Sequence, residues 1–126
     1  AVADYAPVSS EKKKLKRHGT NMHLVLEPTK DIAAKLGEMK TKNQLLVGFA
    51  LETHDEISNA QKKLEQKNLD FIVLNSLKDK DAGFNVDTNK ISIVRKSGKI
   101  DTFNLKNKFD VAKDIVNTMV EFIETS

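Results

Sequence analysis

Residues 45–75, LLVGFALETHDEISNAQKKLEQKNLDFIVLN, decide the fold of this chain. Leu45 to Leu51 is continuously apolar, as expected of a strand that is covered on both faces. Thr53 and Glu56 then form a T-x-x-E capping box at a helix start. Three residues at helical spacing would form the buried stripe of this helix: Ile57, Ala60 and Leu64. Asp70 to Asn75 is a second apolar strand, so the succession predicts parallel pairing with a right-handed crossover.

The residues before this unit predict a strand end, a loop, a short strand and a helix. Ala1 to Tyr5 has the pattern of a strand end, and residues 6–21 are polar, basic and turn-rich, which is typical of a loop. Met22 to Leu26 predicts the short strand. Thr29 or Asp31 would cap the helix, whose apolar residues recur at helical spacing: Ile32, Leu36 and Met39.

The residues after this unit predict a long polar loop, a hairpin and a terminal helix. The loop is residues 76–90, and the hairpin strands are Ile91 to Val94 and Ile100 to Leu105, which flank Ser97-Gly98-Lys99. The terminal helix is amphipathic, with apolar residues at Val111, Ala112, Ile115, Met119, Phe122 and Ile123. The predicted class is α/β, with a three-layer, Rossmann-like, mostly parallel sheet, flanking helices and an appended hairpin.

The predicted topology also indicates where a ligand would bind. Ligands of such sheets gather beyond the carboxyl ends of the strands. The segments expected there are Asp4 to Arg17, Phe49 to Thr53 and the loop after Asn75. The chain begins at Ala1 without a methionine and opens in a strand end, so we expect it to be a fragment of a larger domain.

Composition excludes several classes of function. The chain has no cysteine, which excludes disulfides, thiolate zinc sites and cysteine nucleophiles, and which fits a cytoplasmic protein. No stretch approaches the ~20 apolar residues of a membrane span. We therefore expect a chain that does not enter a membrane.

A basic cluster at residues 12–17 carries most of the positive charge. Lys12, Lys13, Lys14, Lys16 and Arg17 supply five charges, more than the net charge of +3, so the other residues together are mildly acidic. The run is compatible with a solvated loop, a localisation signal, a phosphate-binding arm or a nucleic-acid-binding module. A protein that wraps nucleic acid usually spreads its charge along a face, so this local cluster is better suited to a small polyanion.

Lys63 and Lys67 form a second basic feature, because residues four apart share one face of a helix. Two like charges at this spacing repel, so an anionic group should offset them. Asp55, Glu56 or solvent would do so in a purely structural role. A triphosphate would do so in a functional one.

Four segments, in this order and spacing, resemble the motifs of one known family. They are Ala1-Val2-Ala3-Asp4-Tyr5, similar to A-V-A-D-[YF]; Lys14-Leu15-Lys16-Arg17, similar to K-[IL]-K-[KR]; Leu46 to Thr53, similar to V-G-F-A-x-E-T, with Lys63 and Lys67 following; and Asp70 to Asn75 with Gly83-Phe84, similar to the D-x-I-V-x-N strand and G-F loop. Together they resemble the phosphopantothenate–cysteine ligase family, usually the C-terminal half of a bifunctional bacterial flavoprotein. Residues 1–126 would be the C-terminal part of that ligase domain.

The resemblance implies a CTP-dependent ligase of coenzyme A biosynthesis. Its substrates would be 4′-phosphopantothenate, L-cysteine and CTP, joined through an acyl-cytidylate, with Mg²⁺ accompanying the triphosphate. It also implies a cytoplasmic homodimer and FMN only in a separate domain of the parent protein. The first half of the family domain carries a Gly-rich nucleotide loop and an asparagine for the second step. Neither is in this sequence, so we expect the chain alone to hold half a site and to be inactive without the other half. A separate alternative is a nucleotide-binding domain that has kept the fold and lost the chemistry.

The resemblance also implies site residues. Lys14 would be catalytic and would engage the nucleotide, and Asp4 would lie at the nucleotide and metal site. The other nucleotide-binding positions would be Thr29, Lys30, Asp31 and Ile32, where many members carry N-P-D-I, together with Phe49, Lys63 and Lys67. Asn75 would line the site.

Overall fold

The computed structural model describes residues 3–10, 13–16, 19, 21–76 and 87–125. Several residues on which the sequence predictions rest lie outside these ranges: Ala1, Val2, Lys12, Arg17 and the Gly83-Phe84 pair. The chain divides into two compact units, Ala1–Ile32 and Ala33–Ser126. Across the described residues, no helix combines the length and apolar composition that crossing a bilayer requires.

The first unit contains one antiparallel pair of strands, β1 (Tyr5–Pro7) and β2 (Leu26–Pro28). The predicted short strand is present, but it is Leu26–Pro28 and not Met22–Leu26. Just before it, the Val25 carbonyl also accepts the Val8 N–H at 3.1 Å. The ladder continues past Pro28, because the Thr29 N–H donates to the Asp4 carbonyl at 2.9 Å. Proline is tolerated in this short pair because an edge strand leaves half of its N–H groups unpaired by the ladder.

The remaining elements follow in order along the chain: α1 (Ile32–Met39), β3 (Val47–Glu52), α2 (Glu56–Gln66), β4 (Phe71–Ser76), β5 (Thr88–Asn89), β6 (Ile91–Arg95), β7 (Ile100–Thr102), β8 (Lys106–Asn107) and α3 (Lys108–Glu124). The main sheet has the order β3-β4-β6-β7. β3 and β4 are parallel, whereas β4–β6 and β6–β7 are antiparallel. The α/β class, the strand–helix–strand unit and the appended hairpin are confirmed. The sheet of the described residues is mixed, since β3–β4 is its one parallel pairing, and the second hairpin strand ends at Thr102, before the predicted Leu105.

A separate apolar core lies on each face of the main sheet. On one face Ala60 and Leu64 of α2 pack with Ala50, Leu69, Ile72, Leu74 and Val94. On the other, Val111 of α3 packs with Phe71, Val73, Ile91 and Ile93, and three further residues of α3 lie against this cluster: Ile115, Met119 and Phe122. The helix–sheet–helix layering and the α2 stripe are confirmed, but Ala112 and Ile123 of the predicted α3 stripe are exposed.

β3 is covered on both faces only in its first half, where Val47 packs against the core beneath α3. The prediction of double coverage fails for the second half, within the described part of the chain. Ala50 is buried beneath α2. Phe49 and Leu51 project from the opposite face, and Phe49 is 67% exposed. α3 packs over β4 and β6 and leaves these two side chains uncovered by the described residues.

The start of α2 differs from the predicted capping box. The N-cap is Asp55, in the left-handed conformation at φ 46°, and it makes no side-chain capping bond. Because the helix begins at Glu56, Thr53 is too early to cap it, and its hydroxyl lies 3.0 Å from Nδ1 of His54. Asn68 ends the helix at φ 48°, and Leu69 donates its N–H to the Leu64 carbonyl.

α1 docks through its backbone, whereas its apolar side chains Ile32, Leu36 and Met39 are exposed. The buried residue of α1 is Gly37. A methyl group added there would overlap the Lys67 carbonyl oxygen at the end of α2. The Asn68 side chain donates to the Gly37 carbonyl at 2.9 Å. Close approach of the two backbones therefore requires glycine at this position.

Asp70 links β3, β4 and the residue that follows α1. Its carboxylate accepts the Leu46 N–H at 2.7 Å and the Lys40 ammonium at 2.8 Å. Its own N–H donates to the Leu46 carbonyl at 2.9 Å. Asp70 thus bonds both the N–H and the carbonyl of Leu46, and these bonds join the amino ends of β3 and β4.

Arg95 joins the hairpin to α3. Its guanidinium lies 2.8 Å from Asp101 and 2.9 Å from Glu121, and it stacks over the Phe122 ring at 5.3 Å. Burial would raise the pKa of Asp101, but hydrogen bonds and charges from Lys99 and Arg95 hold that pKa below its ordinary value.

We predict that Gly37→Ala destabilises the chain. Alanine is the better helix former by about 1 kcal/mol, but its methyl group would displace α1 from the Lys67 carbonyl, so we expect a net loss of about 1–3 kcal/mol. Urea unfolding followed by circular dichroism measures the change. Lys35→Ala, on the exposed face of the same helix, is the control and should change stability by about 0.5 kcal/mol or less. A higher midpoint for Gly37→Ala would show that the helix does not dock this way.

We also predict acid-sensitive stability that depends on Asp101. The pKa of this carboxyl is lowered in the folded chain, so its contribution is complete above its unfolded pKa, about 3.9, and is lost as pH falls through the folded value. Urea unfolding between pH 7 and pH 2.5 should show this fall. Asp101→Asn should flatten it, and an unchanged pH dependence in that variant would contradict the assignment.

Candidate functional site

The carboxyl edge of the parallel pair is the candidate site. β3 ends at Glu52 and β4 ends at Ser76, and the two residues are paired in register. α2 begins shortly afterwards, at Glu56. In α/β sheets this edge, where a strand turns into a helix, is where ligands bind.

Glu52 and Lys63 form an ion pair at this edge. Lys63 Nζ lies 2.6 Å from Glu52 Oε1, although the two residues are far apart in sequence. The Glu52 side chain is 12% exposed and that of Lys63 is 44% exposed. Side chains on a helix lean toward its amino terminus, so Lys63 reaches from α2 toward the end of β3. The ammonium therefore lies next to the strand terminus and is still open to solvent.

Asn59 completes this cluster. Its side-chain nitrogen donates to the His54 carbonyl at 3.1 Å and lies 3.4 Å from Glu52 Oε2. One amide group thus ties the β3–α2 turn to the carboxylate. Both carboxylate oxygens face donors from α2, which fixes the direction of the Glu52 side chain.

The structure places the other predicted residues of the second unit at different points. Alternate residues of a strand face opposite sides, so Phe49 leaves β3 on the face away from α2 and hence away from Lys63. Lys67 follows the last residue of α2. Since α2 runs back from the carboxyl edge, Lys67 lies one helical turn farther from that edge than Lys63. Lys63 is thus the one of these three that the structure brings to Glu52.

In the first unit, the structure brings Asp4 and Thr29 together. Thr29 donates its N–H to the Asp4 carbonyl and its hydroxyl to the Ala3 carbonyl, at 2.9 and 2.6 Å. Its hydroxyl is therefore bonded to the segment that precedes β1, so the proposal that Thr29 caps α1 is wrong. Two segments of the sequence pattern that are distant in the chain meet here. Lys14, Lys30, Asp31 and Ile32 are exposed.

Asn75, the predicted lining residue, precedes the last residue of β4 and pairs with Ile91. Its side-chain oxygen is buried and has no hydrogen-bond partner among the described residues, and the same holds for Asn89. A buried amide oxygen without a donor is costly. Asn75 therefore stands as an open acceptor next to residues 77–86, which are outside the described ranges.

Glu52 and Asn59 are the residues that sequence reasoning did not assign to the site. Glu52 is the first charged residue after the apolar run of β3, and that position was the available signal. A charged residue at a strand end is usually solvated, so the residue type alone does not reveal that the Glu52 carboxylate is mostly buried. The cluster contains an ammonium group, that of Lys63, which the Glu52 carboxylate holds in place. Such a group is suited to binding an anion.

Comparison with known proteins identifies relatives over nearly the whole chain. Residues 1–123 match the family described as DNA/pantothenate metabolism flavoprotein C-terminal domain. The chain is 58% identical over 123 residues to a protein named Cysteine/Cysteine sulfinic acid decarboxylase from an unknown prokaryotic organism, covering 98% of this chain and 34% of that protein. It is 45% identical over 116 residues to the Coenzyme A biosynthesis bifunctional protein CoaBC of Bacillus subtilis (strain 168), covering 92% and 28%. The chain thus spans about a third of the length of these curated relatives.

Two solved structures share the fold. The crystal structure of the C-terminal domain of a Coenzyme A biosynthesis bifunctional protein CoaBC is 42% identical, with a TM-score of 0.68, covering 80% of this chain and 48% of that one. The DNA/pantothenate metabolism flavoprotein from Streptococcus pneumoniae is 22% identical, with a TM-score of 0.74, covering 97% and 60%. The second likeness concerns the fold alone.

Proposed function

Because this chain belongs to the DNA/pantothenate metabolism flavoprotein C-terminal domain family, we propose that it forms part of a ligase that joins 4′-phosphopantothenate to L-cysteine. The relative from Bacillus subtilis is named as a bifunctional protein of coenzyme A biosynthesis, which supports this role. CTP is the proposed nucleotide, in keeping with the resemblance of the sequence segments to the CTP-dependent ligases.

The observation that carries the proposal is the position of Lys63. Its ammonium is held 2.6 Å from the last residue of a parallel strand, at the edge where ligands of such sheets bind. A lysine there is a point charge suited to a phosphate group. Its exposure of 44% leaves it open to an incoming anion.

The proposed reaction has two steps. A carboxylate oxygen of 4′-phosphopantothenate attacks the α-phosphorus of CTP, and pyrophosphate leaves with the electron pair of the broken P–O bond. The cysteine amine then attacks the acyl carbon of the acyl-cytidylate, and CMP leaves as the amine loses a proton. Phosphoryl-transfer and acyl-transfer steps of this kind depend on positioned cations. Lys14, Lys63 and Lys67 would supply them, with Lys14 supporting the reaction and the other two binding the nucleotide.

Mg²⁺ fits the proposed site if the phosphates provide most of its ligands. The described residues contain no group of three or more histidine and acidic side chains that would hold a metal ion alone. Magnesium bound with a nucleotide usually takes one or two carboxylates, and water and phosphate oxygens fill the other positions. Asp4 would provide such a carboxylate, and the ion would neutralise phosphate charge.

The decarboxylase name of one relative is compatible with this proposal. The match covers 34% of that protein, which leaves room for a separate activity elsewhere in it. We assign any flavin-dependent decarboxylation, and with it FMN, to that other part of a longer protein.

We predict that Lys63→Ala and Lys67→Ala each weaken CTP binding by about tenfold, because each removes a charged hydrogen-bond donor to phosphate. Titration calorimetry with CTP and Mg²⁺ measures the affinity of the 126-residue chain supplied together with the first half of the ligase domain. Lys62→Ala is the matched control, since it removes the same charge from an exposed position next to Lys63, and it should bind like the wild type. Unchanged affinity in both variants would refute the nucleotide site.

Lys14→Ala should slow the first step while changing stability by no more than ~0.5 kcal/mol. The assay is pyrophosphate release from CTP that depends on 4′-phosphopantothenate, with the chain supplied together with the first half of the ligase domain. Lys13→Ala, its neighbour in the same exposed segment, is the control. Equal rates for the two variants would remove Lys14 from its assigned role, and tight polynucleotide binding without CTP binding would overturn the ligase proposal.

A further inference from the structure

Glu52 is the most enclosed charged group at the candidate site. Its side chain is 12% exposed, and its partner Lys63 is 44% exposed. A carboxylate withdrawn from water is unfavourable unless it is paired and hydrogen-bonded. Glu52 meets this requirement with the Lys63 ammonium at 2.6 Å and the Asn59 amide at 3.4 Å. The pair is asymmetric, because the anion is enclosed and the cation faces solvent.

This asymmetry determines which partner a ligand can reach. An ammonium has three N–H donors, and the contact with Glu52 uses one of them. The other two remain for a group that approaches from solvent. An anion touching the amine would lie farther from the Glu52 oxygens than from the nitrogen, so attraction to Lys63 exceeds repulsion from Glu52.

Glu52 also reduces the entropic cost of using a lysine. An unrestrained lysine side chain samples many rotamers, and fixing it at the moment of binding opposes association. Here the ion pair fixes the side chain in the folded chain, and Asn59 fixes the carboxylate in turn through its bond to the His54 carbonyl. The ordering is therefore complete before a ligand arrives.

We propose that Glu52 is a positioning residue that holds the Lys63 ammonium at the carboxyl end of β3 for contact with a phosphate group of the nucleotide. This inference rests on the proposed function, in which Lys63 binds CTP. It adds a carboxylate that does not touch the substrate and that acts through Lys63. It also identifies the anion that offsets the charge of Lys63, one of the two like charges four residues apart on this helix face.

The test is a double-mutant cycle in CTP affinity, measured by titration calorimetry with CTP and Mg²⁺ on the 126-residue chain supplied together with the first half of the ligase domain. Glu52→Ala should weaken binding about tenfold. Glu52→Gln keeps an oxygen that can accept from Lys63 and should weaken binding only about threefold. In the Lys63→Ala background, both changes at position 52 should have no further effect. Glu65→Ala, which removes an exposed carboxylate from the same helix, is the control and should bind like the wild type.

The possible results separate the two ideas. If Lys63→Ala weakens CTP binding and Glu52→Ala does so equally in both backgrounds, Glu52 has only a structural role and the inference fails alone. Tighter CTP binding by Glu52→Gln would show that the Glu52 carboxylate competes with phosphate for Lys63. That result would also overturn the inference. If Lys63→Ala binds CTP normally, or no form binds CTP, the proposed function fails as well. If Glu52→Ala does not fold, the double-mutant cycle is measured with the isosteric Glu52→Gln instead.

Discussion

The carboxylate of Asp70 joins the amino ends of β3 and β4, and the geometry of the whole sheet edge follows from it. It accepts the Leu46 N–H and the Lys40 ammonium, while its own peptide pairs with Leu46. A slip of one residue would turn every side chain of β3 to the other face. Ala50 would then leave the core beneath α2. With the register fixed, Glu52 lies level with Ser76 at the far end of both strands.

Asp70 also shows how a residue in a recognisable pattern can serve structure. It begins the D-x-I-V-x-N segment that resembles the ligase family, yet it lies at the end of the sheet opposite the candidate site. Its contribution to that site is indirect, because it fixes the register of β3 against β4 and hence the position at which β3 ends. Gly37 acts in a comparable way, since its missing side chain lets α1 approach the end of α2.

The parts of the fold that were predictable from the sequence depend on local periodicity. The apolar runs of β3 and β4 and the stripe of α2 are signals within a few residues, and they gave the parallel unit correctly. The features that were predicted wrongly depend on partners distant in the chain or on unusual backbone angles. Thr29 is bonded to a carbonyl 26 residues earlier, and α2 starts at a left-handed Asp55. Of the site, periodicity placed Lys63 on its helix, but the enclosure of Glu52 arises only when α2 packs on β3.

β3 is a terminal strand of the main sheet, and in the described part of the chain its outer edge carries no partner strand. Phe49 and Leu51 add exposed apolar surface beside that edge. Unprotected edges of this kind are templates for intermolecular β-pairing and aggregation. We therefore expect self-association of the chain to increase with its concentration, and we expect Leu51→Lys to reduce it.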